Sequence, residues 1–128
     1  MKYIDNLLHE IIQEARDINI PIASQIANEI MIDYDQIDRM GACYQYKYPT
    51  TRYVIHLSSD TLNGSEYMIK SIIAHEILHT CKLCTEHNSI WNFYKNKMIK
   101  FYNYNIKVEY SWNEIFSMGG NINGDKYD

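Results

Sequence analysis

Residues 66–80, EYMIKSIIAHEILHT, constrain this chain more than any other stretch. Met68, Ile69, Ile72, Ile73, Ile77 and Leu78 recur at helical spacing and cover most of the circumference, which predicts a helix buried at the centre of the domain. Gly64-Ser65-Glu66 offers its start, with Ser65 as the cap. The same helix carries His75, Glu76 and His79. Two imidazoles and a carboxylate are costly to bury without partners, so a metal site is expected, with surface histidines on a helix as the alternative. Residues four apart lie about 40° apart around a helix and one turn along it, so His75 and His79 face the same side. They present two nitrogens at the separation a single Zn²⁺ requires. Glu76 lies about 100° round from His75, off the ligand line but within reach of a water at the metal, the place of a general base.

A catalytic zinc takes three protein ligands and keeps one position open. His9 and His56 are distant in sequence, and their segments have other readings. His87 is the candidate for the third ligand. Had the helix continued, His87 would lie ~12 Å beyond His79 along the axis. The chain must therefore leave the helix after about Thr80 or Cys81 and turn back, with Asn88 starting the next helix and Trp91 anchoring it. Cys81 and Cys84 form a CxxC in that turn and admit three readings: a stiffening or redox-sensitive pair, a thiolate that closes the open zinc position, or two small packed side chains. Tyr102, Tyr104 and Tyr110 are the tyrosines nearest the motif that could stabilise an oxyanion, with packing as their alternative role. Asp33, Asp35 and Asp38 lack a calcium-loop pattern and read as a solvated turn.

The rest of the chain supports an α+β fold in a single domain over residues 1–118, with a tail at 119–128. The length is 128 residues, 46% apolar and 22% charged, which suits one globular core. Ile4, Leu7, Leu8, Ile11, Ala15 and Ile18 predict an amphipathic N-terminal helix over 3–18. Alternation at residues 30–34, 43–48 and 53–57 predicts three short strands, read as a small antiparallel meander. A second long helix is predicted over 88–102, with Trp91, Tyr94, Met98, Phe101 and Tyr102 as its apolar stripe, and residues 106–110 read as a short strand or extended segment. The net charge of −4 argues against phosphate-driven duplex binding. No stretch approaches a membrane span, and the N-terminus lacks the apolar region of a signal peptide. With three cysteines, an odd number, the expected setting is a reducing cytoplasm.

The segment AHEILHTCKLCTEHNSIW resembles the SprT-like zinc metalloprotease domain, in which HExxH, a short loop and a histidine at a helix start follow in order. Gly41-Ala42-Cys43 and the strand from Tyr53 to Ser58 are similar to that family's G-x-C and I-x-L-S strands. The resemblance covers about residues 1–112. It implies a minimal zincin-like domain binding one Zn²⁺ through His75, His79 and His87, with Glu76 as catalytic base, and hydrolysis of peptide bonds in a protein or peptide substrate. Asn88 stands where the family usually has Gly, and Asn also tolerates left-handed backbone geometry. The C-terminal zinc ribbon of many relatives has no counterpart here. Eukaryotic relatives cleave proteins crosslinked to DNA, and Lys95, Lys97, Lys100 and Lys107 are clustered enough to leave DNA contact open, with a solvated helix face as the usual meaning of such a run. Two other readings stand beside a metallopeptidase: a zinc-binding accessory module without turnover, and a metal-dependent hydrolase of another small amide or ester.

Overall fold

The computed structural model describes residues 2–34 and 38–117. The predicted tail at 119–128 and Asp35 of the acidic turn lie outside the described residues. The elements run α1 (Tyr3–Asp17), β1 (Met31–Asp33), β2 (Gly41–Tyr46), β3 (Arg52–Ser58), a 3₁₀ turn (Ser59–Asn63), α2 (Glu66–Leu78), α3 (Ser89–Tyr102) and α4 (Trp112–Ser117). Among the described residues the fold is α+β, with four helices and one small three-stranded sheet.

The strand order is β1-β3-β2. β2 and β3 form the expected antiparallel pair, Gly41 opposite Leu57 and Tyr46 opposite Arg52. β1 corrects the meander: it runs parallel to β3, Met31 opposite His56 and Asp33 opposite Ser58, so the sheet is mixed. Alternating side chains mark a strand but carry no record of its neighbour or direction. Here β3 takes the centre, because Ile55 and Leu57 are the fully buried strand residues and need cover on both flanks.

α2 is the central helix, in contact with β2, β3, α1 and α3. Ser65 caps its start, its hydroxyl accepting from the Met68 amide at 3.1 Å. Met68, Ile72, Ile73, Ile77 and Leu78 are essentially inaccessible to solvent. α1 is clamped from two sides: buried Asp5 accepts from the Ile30 amide at 2.8 Å, and Lys70 of α2 pairs with Glu10 at 3.0 Å. Thr80, just past α2, accepts from the Ala23 amide at 3.0 Å and donates to the Ile77 carbonyl at 2.7 Å. These contacts fix where the helix ends, and so where His79 sits.

α3 ends at Asn103, whose left-handed backbone (φ 59°) turns the chain back over α2. Residues 104–111 form an extended strap rather than a strand. The Asn105 amide donates to the Ser71 hydroxyl at 3.0 Å and so ties the strap to α2. α4 was not foreseen from the sequence, although Trp112, Ile115 and Phe116 carry a short helical stripe. Ile115 is fully buried beneath it. No helix among the described residues is long and apolar enough to cross a membrane.

Candidate metal centre

His75 lies in the last turn of α2, His79 is its C-cap residue, and His87 immediately precedes Asn88, the N-cap of α3. Between them the chain turns back at Leu83, a non-glycine residue at φ 65°. This places the left-handed position of the loop at Leu83 and not at Asn88, which is extended (φ −83°, ψ −172°). Asn88 acts instead through its side chain, accepting from the Trp91 amide at 2.9 Å and donating to the Leu83 carbonyl at 2.6 Å. A glycine would offer neither bond.

The return brings the three histidines together. One ligand nitrogen from each lies within 4.8 Å of the others, and the Nε2 atoms of His75 and His87 are 3.1 Å apart. Two of the three rings are held from behind. His75 Nδ1 donates to the Lys107 carbonyl at 2.6 Å, and His79 Nδ1 donates to the Cys84 carbonyl at 2.8 Å. Each bond selects the tautomer whose Nε2 carries the free lone pair. The buried Trp91 indole underlies all three imidazoles, with ring centroids 5.0, 5.7 and 4.6 Å from His75, His79 and His87. These three histidines could hold a metal ion. Burial and the neighbouring imidazoles push His75 down to about 3, and burial lowers His79 and His87 as well. All three are thus neutral near pH 7, the form that coordinates.

Glu76 reaches toward β2 while keeping to the side of the ligand group. Its Oε2 is 3.9 Å from His75 Nε2. A Cβ on Gly41 would lie 3.2 Å from that same oxygen and 3.1 Å from Ile72 Cγ2, so the strand reaches the carboxylate only because residue 41 has no side chain. Gly41→Ala is expected to lower stability by about 1–2 kcal/mol through this crowding, read as a shift of the urea midpoint at constant slope.

Burial pushes Glu76 up to about 8, and the positive charge of Arg39 pulls it partly back. The consequence for the metal-free chain has a definite sign. The folded state keeps a proton on Glu76 that the unfolded chain has released, so its stability falls as pH rises from about 5 to 8. His75 acts oppositely, destabilising the fold on acidification, and cancels in a comparison with Glu76→Gln. The stability advantage of Glu76→Gln over wild type should grow between pH 5 and 8, by on the order of 3 kcal/mol. Urea titrations in chelator at the two pH values measure it; a pH-independent difference would show that Glu76 is not buried as a neutral acid.

Two adjoining cavities of about 370 and 310 Å³ flank this point, both lined by Arg39, Gly41, His75 and Glu76. They form a groove bordered by β2, an outer strand of the sheet. Of the candidate tyrosines, Tyr102 donates to the Glu14 carbonyl at 2.9 Å and Tyr104 to the Glu14 carboxylate, both on α1 and away from the groove. Tyr110 lines the larger cavity, but its hydroxyl donates to the Asn105 carbonyl at 2.9 Å and accepts from the Lys107 amide at 3.0 Å. It braces the strap.

Cys81 and Cys84 are buried free thiols joined by a turn in which the Cys84 amide donates to the Cys81 carbonyl at 3.1 Å. Burial pushes Cys81 up to about 12. Neither sulfur belongs to the ligand group, so packing and support of the Cys84 carbonyl are the roles seen. His9 contacts the Asn28 carbonyl and His56 pairs with Asp33, both outside the metal centre. Lys107 pairs with Glu114 of α4. The orienting carbonyls of Lys107 and Cys84 were beyond sequence reasoning, because any residue supplies a carbonyl. No protein-family model matches the chain, and neither curated proteins nor solved structures give a match.

Proposed function

We propose that the chain is a zinc-dependent metallopeptidase. The observation that carries this reading is the pairing of three converging imidazole nitrogens with a separate, buried carboxylate that faces a groove. Three nitrogens without a fourth protein ligand among the described residues suit zinc with one position left for chemistry. A bound zinc ion supplies Lewis acidity, a water of lowered pKa, and positive charge that favours the Glu76 anion.

The chain's own groups do the rest. Lys107 and Cys84 hold the His75 and His79 rings in coordinating tautomers. Glu76 takes the proton of the attacking water at Oε2 and delivers it to the leaving amine. The dry surroundings of Glu76, 6% exposed, keep bulk water from competing for that proton. A peptide is favoured over a small amide or ester by the groove's border: the outer strand β2 offers backbone donors and acceptors along which an extended chain can lie.

The test is hydrolysis of unfolded casein by the zinc-loaded chain, with metal stoichiometry by mass spectrometry. One zinc per chain with chelator-sensitive cleavage is expected. One zinc per chain with no cleavage of any peptide would favour a binding module, and absence of zinc after titration would remove the metal reading altogether.

A further inference from the structure

Arg39 is the cation placed where the two halves of the groove meet, lining both cavities together with His75 and Glu76. Its guanidinium donates to the Tyr44 hydroxyl at 2.5 Å and lies 5.6 Å over the Tyr44 ring. Tyr44 therefore fixes the head of a side chain that would otherwise sample many rotamers, and the ordering entropy is spent before any ligand arrives. One donor is used this way. The fork has five, and no described carboxylate lies within ion-pair distance of it.

The two cavities differ in charge. Asp38 and Glu109 line only the larger one. The smaller is the metal centre's own cavity, walled by His75, His79, His87 and Glu76, its one carboxylate among the described residues, with Arg39, Gln45, Tyr53 and Thr85 beside them. The larger cavity, with two further carboxylates, repels an acidic group more strongly than the smaller.

We propose that Arg39 is a specificity-determining residue that binds the carboxylate of an acidic substrate side chain on the Arg39 side of the smaller cavity, beside the bond to be cut at the metal centre. A planar guanidinium held at one edge offers a carboxylate two parallel N–H donors, which a neutral or basic side chain cannot use. This assignment rests on the metallopeptidase reading.

The experiment profiles cleavage of a peptide mixture by the zinc-loaded full chain, then compares kcat/KM for matched peptides carrying Glu, Gln or Lys at the enriched position. Wild type is expected to favour Glu over Lys by about tenfold. Arg39→Ala should erase the preference and Arg39→Glu should invert it toward Lys, each with one zinc retained. A preference unchanged in both variants, or no acidic preference in wild type, overturns the role of Arg39 and leaves the peptidase intact. Absence of any product from zinc-loaded wild type overturns the peptidase reading, and the Arg39 assignment falls with it.

Discussion

Replacing Glu76 with glutamine is expected to cut peptide hydrolysis by about 10²–10⁴-fold while one zinc stays bound per chain. The substitution preserves size and shape at a position where Gly41 leaves no slack. It removes the one property the reaction needs, an oxygen that can accept and return a proton. Glu76 contributes no atom to the three-nitrogen group, so metal affinity should survive. The fold should survive too, since an amide is easier than a carboxylate to keep in a site that already raises Glu76 to about 8. The readouts are initial rates on a peptide and metal content by mass spectrometry on the same sample. Full activity in this variant would end the assignment of Glu76 as base.

His79→Ala should act on the metal itself. Two imidazoles remain, and loss of one of three ligands is expected to empty the site at stoichiometric zinc. Zinc that binds the folded chain at a thousand times its dissociation constant contributes about 4 kcal/mol of stability, which the variant forfeits. A further loss of about 1–2 kcal/mol comes from the Cys84 carbonyl, whose ring N–H donor is removed. The two parts separate experimentally: chelator should collapse the first difference and leave the second. Denaturant midpoints with and without chelator provide the measurement, and unchanged zinc content would exclude His79 from the ligand set.

Much of the site was legible because its logic is local. The spacing of His75, Glu76 and His79 on one helix determines their directions, and helical rise alone required a reversal before His87. The reversal's mechanism was not legible. Leu83 at positive φ is an unusual choice, and Asn88 works through its amide rather than its backbone. Strand positions could be read from alternation at Ile55 and Leu57, but the parallel β1 depends on which edge of β3 is free, a tertiary fact. Arg39 carries no motif. The role proposed for it rests on Tyr44 and on the meeting of two cavities that exist only in the folded chain.

All three candidate ligands fall between residues 75 and 87, and every strand among the described residues precedes them. On a chain emerging N-terminus first, the sheet and α2 are available before His87 appears, and closing so short a loop carries a small entropic penalty. The ligand triad is then exposed while the Lys107 carbonyl that steadies His75 has yet to emerge. A metal held by the triad at that stage would precede the docking of α3 and the strap. Arrival of the strap then supplies the Lys107 carbonyl that fixes the orientation of His75.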